Sequence, residues 1–282
     1  MKWLRSFLRM VLAAILFLVA GLWLFQHKLM YFPRPYDKPQ LWDLEHRDGQ
    51  RLEVHTSQGR QVAFYLPPQE KSPAPAFVWW ICGGNGSLSL DYSGYPLHWD
   101  PRFGYLFVDY PGYGLCEGDP NPDHISETMR ALAPVLQNVL HWSEDDLRQR
   151  CGVLGHSLGC AAGLIAADQL HFRRVVLCAP FTTMTAMAKL TVGWPLCYLN
   201  RNCFDNVARL KSILAEGAEV RIFHGDQDEV IPVAMSRSLA AQFPKIRYRE
   251  VAGSHHNEIV MDAQQEIGTA LFDLSGLPAS PK

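Results

Sequence analysis

Cys151-Gly152-Val153-Leu154-Gly155-His156-Ser157-Leu158-Gly159 decides how this 282-residue chain is read. Residues 151–154 are a short apolar run with strand character, and Leu158–Leu170 reads as an apolar helix. Between them stands G-x-S-x-G, a pattern that puts serine on a sharp strand-to-helix turn where glycines admit a crowded backbone. The serine hydroxyl then projects from the sheet edge, and the helix N-terminus faces negative charge developing beside it. Ser157 is therefore the predicted nucleophile.

The surrounding chain supplies the sheet that such a turn needs. Strands are predicted at 51–56 and 61–66, as a hairpin turning at Gln58-Gly59, and at 76–82, 105–110, 175–178, 220–224 and 246–251. The run 76–82 (AFVWWIC) is continuously apolar, as a strand buried on both faces should be. Helices are predicted at 123–142, with Pro134 disturbing the interior, and at 205–216, 232–242 and 258–274. This alternation predicts an α/β fold, a mainly parallel central sheet with helices on both faces. The stretch 181–204 breaks the rhythm with Trp194, Pro195, Tyr198 and several methionines, and is expected to form a small helical cap over the carboxyl edge of the sheet.

A serine hydroxyl is a weak nucleophile without a base, and the base needs an orienting carboxylate. In this elbow architecture acid and base come after the serine in that order. Asp226 and Asp228 follow one strand in HGDQDEVIP, and His255 and His256 follow the next in GSHHNE. Pattern order leaves both pairs open. An oxyanion would be held by backbone N–H groups, one from Leu158 and one from Gly83-Gly84-Asn85-Gly86 directly after the strand at 76–82. That glycine loop lacks the Lys-Ser/Thr of a phosphate-binding loop and the spacing of a dinucleotide fingerprint.

Residues 10–25 (MVLAAILFLVAGLWLF) are unbroken apolar sequence, extendable to Phe7 if Arg9 snorkels. Trp3 before the run and Trp23, Tyr31 and Phe32 near its far end suit the two interfaces. The residues after the run make a poor cleavage site, so an uncleaved single-pass anchor at 1–27 is expected rather than a signal peptide. Basic residues flank the run nearly evenly, with a slight preference for a non-cytoplasmic catalytic domain. Residues 28–48, with Pro33, Pro35 and Pro39, read as a tether, 49–276 as the catalytic domain and 277–282 as a tail. A formal net charge of −2 gives no general pull toward nucleic acid. The seven cysteines form no C-x-x-C pair, so neither a zinc site nor a disulfide framework is implied. Cys82, Cys151 and Cys178 read as small buried hydrophobes, and Cys197 and Cys203 alone are close enough in a loop-like stretch to suggest a bridge.

Taken in order, KLMYFP, GGNG, DYPGYGLCEG, GHSLG, CAPFTTM, HGDQDEVIP and SHHNE make the chain from Lys28 onward resemble the α/β-hydrolase superfamily. Within it, the resemblance is to the membrane-anchored Bem46-like group, which includes α/β-hydrolase domain-containing proteins 13 and 17. The resemblance implies the α/β-hydrolase fold, Ser157 as nucleophile, Asp228 as acid and His256 as base. It leaves Asp226 as a loop-shaping residue and His255 as a neighbour. Gly83 stands where the group commonly has histidine, and the second oxyanion donor is assigned to Asn85, with Gly86 as the alternative. The implied reaction is acyl transfer to water from an ester, thioester or amide substrate, with no metal or cofactor. Esters and thioesters are favoured over peptides because the anchor brings the site to membrane lipid. The competing reading is a catalytically silent binding module on the same fold.

Overall fold

The computed structural model describes residues 2–70 and 74–279. The chain begins with α1 (Lys2–Met30), longer at both ends than its apolar run. Its most apolar 18-residue window has a mean hydropathy of 2.4, and the helix is long and apolar enough to cross a membrane. The expected tether is not loose. Tyr31 is buried, and α2 (Lys38–His46) forms after the Asp37 N-cap, burying Leu44. Pro39 falls in the first turn of α2, where a missing N–H costs nothing.

Strands β1 (Gln50–Thr56) and β2 (Gly59–Leu66) form the predicted hairpin, with Ser57 and Gln58 in the turn and Gly59 already in β2. Next along the chain are β3 (Phe77–Cys82), β4 (Phe103–Val108), α3 (Pro122–Leu140), α4 (Glu144–Arg150), β5 (Cys151–His156) and α5 (Leu158–Leu170). After them come β6 (Arg174–Cys178), α6 (Met184–Val192), α7 (Asn206–Ala215), β7 (Glu219–Gly225), α8 (Ala234–Gln242) and β8 (Arg247–Val251). The chain closes with α9 (Ile259–Asp262) and α10 (Gln264–Ser275), so the last predicted helix is broken in two. The expected tail begins within the described residues at Leu277, and 280–282 lie outside them.

The eight strands are ordered β1-β2-β4-β3-β5-β6-β7-β8. Among the pairings of these described strands, only β1/β2 and β2/β4 are antiparallel. Strand β3 lies next to β5 at the centre, and the period-two alternation of its side chains feeds both layers. Val78, Trp80 and Cys82 enter one core, while Phe77, Trp79 and Ile81 enter the other. Helix α5 is buried from Leu158 to Ala167, which accounts for its lack of a polar face. Helix α3 passes through Pro134 without ending. Both Pro134 and Arg130, whose carbonyl loses its helical partner, are solvent-exposed, so water can satisfy that carbonyl. Cys197 and Cys203 do not form the bridge considered from sequence. Cys197 is buried and Cys203 is exposed, and both are free.

Candidate active site

Strand β5 ends at His156 and α5 begins at Leu158, so Ser157 alone makes the turn, at φ 55° and ψ −119°. A non-glycine residue in that region is strained and persists only where its surroundings hold it. Here the Ser157 N–H donates to the Cys178 carbonyl (2.9 Å), and the Ser157 carbonyl accepts from the Cys160 N–H (3.0 Å). The flanking glycines are required by close approach. A Cβ on Gly155 would lie 2.4 Å from the Gly159 carbonyl oxygen, and one on Gly159 would lie 2.0 Å from that of Cys82.

The loops after β7 and β8 bring Asp228 and His256 to this turn. His256 Nε2 lies 2.9 Å from Ser157 Oγ, and His256 Nδ1 lies 2.7 Å from Asp228 Oδ2. A carboxylate only accepts, so Nδ1 carries the proton and Nε2 is left to accept the serine hydroxyl. Asp226 does not reach His256. Its Oδ1 accepts from the Gly253 N–H (2.7 Å) and so ties the two loops together. His255 points outward to Glu229.

Burial alone would raise the Asp228 carboxyl, but its donors outweigh burial and hold it well below the usual carboxylate range. Oδ1 accepts from the N–H groups of Val230 (2.9 Å) and Ile231 (2.7 Å). Oδ2 accepts from His256, and His224 Nε2, 2.9 Å from the Ile231 carbonyl, lies 3.1 Å from the same oxygen. His224, buried near the end of β7, is set in place by Ser236 Oγ, 2.6 Å from its Nδ1. No sequence pattern pointed to His224, although it opens the HGDQDEVIP motif, two residues before Asp226.

His156, the variable position of the elbow, carried no sequence signal either. Its Nε2 donates to the His256 carbonyl (2.9 Å), and its Nδ1 accepts from the Tyr92 hydroxyl (2.7 Å). The same Tyr92 oxygen accepts from the Gly84 N–H (3.2 Å). Desolvation, with the neighbouring His256 adding to it, lowers the His156 pKa to about 4, so the ring stays neutral and keeps both bonds. One buried chain, Gly84–Tyr92–His156–His256, thus links the glycine loop to the backbone of His256. It also gives Gly83 a reason, because a Cβ there would come within 3.1 Å of the Tyr92 ring.

Asn85, Ser157 and Leu158 line one cavity of about 330 Å³. Among the described residues, neither the Asn85 nor the Leu158 backbone N–H donates to a backbone carbonyl. Gly86 lies outside the lining, with its carbonyl held by Arg34 Nε (3.0 Å). The Asn85 side chain is fastened three ways. Its Nδ2 donates to the Met30 carbonyl (2.5 Å), and its Oδ1 accepts from the Phe32 N–H (3.2 Å) and the Tyr113 hydroxyl (2.6 Å).

Residues 80–244 match the α/β hydrolase family. The chain belongs to that family. The match includes Ser157 and Asp228 and stops short of His256. The uncharacterized protein Rv2307c of Mycobacterium tuberculosis is 30% identical over 255 residues, covering 87% of each chain. Human α/β hydrolase domain-containing protein 17C is 26% identical over 157 residues, which are 55% of this chain and 45% of that one. The α/β hydrolase domain-containing proteins among these relatives are of the Bem46-like group. Among solved structures, the esterase Pf2001 of Pyrococcus furiosus superposes with a TM-score of 0.66 at 13% identity, over 87% of this chain and all of its own. Est1E of Butyrivibrio proteoclasticus, solved with ferulic acid bound, gives 0.63 at 13% identity over 79% and 98%. At such identities these α/β hydrolases share the fold.

Proposed function

We propose that this hydrolase is a membrane-anchored serine hydrolase that cleaves carboxylic esters or thioesters through an acyl-enzyme. The observation that carries the reading is the hydrogen-bonded chain Ser157–His256–Asp228 facing an apolar cavity. His256 takes the Ser157 proton as Oγ bonds to the substrate carbonyl carbon. The N–H groups of Leu158 and Asn85 bind the oxygen that becomes negative. The bond from carbon to the leaving oxygen or sulfur then breaks, and the leaving group departs with the proton from His256. Water, losing a proton to the same ring, attacks the acyl-enzyme and releases the acid and Ser157. Asp228 holds His256 in the productive tautomer and stabilises its cationic form.

The 2.9 Å separation of Ser157 Oγ and His256 Nε2 supports catalysis over a silent binding module, which would need no such contact. The lining supports acyl substrates over peptides, since Phe181, Met184, Met187 and Val192 offer a peptide backbone no hydrogen bonds from their side chains. Labelling of the full chain with a fluorophosphonate is the direct test. The wild type is expected to label and Ser157→Ala to stay unlabelled, and a labelled Ser157→Ala protein would refute the assignment.

A further inference from the structure

The cavity over Ser157 is not walled by the α/β domain alone. One side is α6 and its neighbours, with Met184, Met187 and Val192, and the other is the end of α1, with Leu22, Leu29 and Met30. Leu22 lies inside the apolar run at 10–25. From Lys2 to Leu18 every residue of α1 is exposed, and partial burial begins at Val19. The apolar run extended to Phe7 covers 19 residues, 7–25, at 1.5 Å per residue roughly 28 Å, close to the ~30 Å of a bilayer's hydrocarbon core. A helix spanning the core with this run puts Leu22 about one turn inside its far boundary. The acyl cavity then has one wall at membrane depth.

The segment after α6 tracks α1 to that depth. Gln26 grips it twice, donating to the Leu199 carbonyl (3.3 Å) and accepting from the Arg201 N–H (2.7 Å). The Arg201 guanidinium lies over the Trp23 ring, 4.7 Å from its centroid. Beside this junction Leu190, Trp194 and Tyr198 are 60%, 73% and 72% exposed, an apolar and aromatic rim suited to the headgroup zone.

We infer that the site takes single-chain acyl lipid esters directly from the bilayer, the acyl chain lying between α1 and α6 and the ester reaching Ser157 from the membrane side. This rests on the serine hydrolase reading. A tail already dissolved in the bilayer enters such a gap without passing through water, a transfer whose cost grows with every methylene. At about 330 Å³ the cavity is near the lower end of ligand sites, roughly 300–1,000 Å³, and so fits one chain rather than two.

The test uses the full chain in phosphatidylcholine vesicles, with monooleoylglycerol in the bilayer and p-nitrophenyl butyrate in the water. In Leu22→Trp an indole fills the α1 side of the cavity, and in Met187→Trp it fills the α6 side. The ratio of kcat/KM for the oleoyl ester over the butyrate is expected to fall about tenfold or more in whichever variant still labels with fluorophosphonate, by the differential cost of a lost chain pocket. A ratio that stays put in a labelled variant overturns the inference and leaves the hydrolase reading intact. A wild type that cleaves an S-palmitoyl peptide in preference to monooleoylglycerol also overturns it, in favour of an acylated protein. A wild type that cleaves neither ester sinks the hydrolase reading itself.

Discussion

Asp228 and Asp226 stand two residues apart, and their environments differ completely. Asp228 accepts from two backbone N–H groups and from His256, with the His224 imidazole beside it, whereas Asp226 ties Gly253 across to the neighbouring loop. Asp228→Asn is expected to lower kcat on a p-nitrophenyl ester by about 10³- to 10⁴-fold, since the imidazole loses the carboxylate that fixes its tautomer. Asp226→Asn should change kcat by less than about tenfold, and a larger loss than in Asp228→Asn would reverse the two roles. A second carboxylate, Asp109, sits between the Ser89 N–H (2.8 Å) and the Tyr36 hydroxyl (2.5 Å). Burial pushes its pKa up to about 6 against the lowering effect of those donors. The folded state thus binds a proton that the unfolded state has lost, and the stability this gives is present below about pH 4 and lost as pH rises through 6. Asp109→Asn is therefore expected to gain stability relative to wild type between pH 4 and pH 6. Urea unfolding at both values checks it, and a difference that does not move with pH would count against the assignment.

Among the elements, β3 and the loop behind it carry the site. Trp80 is fully buried on the α5 side of β3, so Trp80→Ala should destabilise the fold by about 3–5 kcal/mol in urea unfolding. The loop Gly83–Gly86 is held from two directions. Tyr92 and His156 fasten Gly84, and the chain leaving α1 fastens Asn85 through Met30 and Phe32. Asn85→Ala keeps the backbone donor and removes its fastening. Its kcat is expected to fall roughly tenfold, less than the 10²–10³ for deleting a donor, with KM little changed. A KM effect alone would mean that Asn85 contacts substrate rather than positioning the loop. The period-two and continuous apolar runs made these strands legible in the sequence. Helices α2 and α4 were not, because each is a short polar segment set by its cap, Asp37 and Ser143, rather than by an apolar stripe.

At the scale of the whole molecule, the parts brought together are α1, the segment at 181–204 and the sheet edge. If α1 is an uncleaved anchor, the full-length chain should remain in the membrane pellet after alkaline carbonate extraction. Release of a shortened chain into the supernatant would indicate a processed leader instead. The sequence by itself determined the elbow, the strands and helices around it and the residues able to act as nucleophile, acid, base and oxyanion donor, because these reside in local turn chemistry and apolar periodicity. It also marked α1 as apolar enough for a membrane. The resemblance pointed to Asp228 over Asp226, and the structure shows its contact with His256, but only the tertiary structure decided that Tyr92 and His156 link His256 to the glycine loop and that the end of α1 walls the cavity over Ser157. Those are contacts between parts of the chain far apart in sequence, and nothing in a local pattern encodes which distant side chain fills the remaining hydrogen bond.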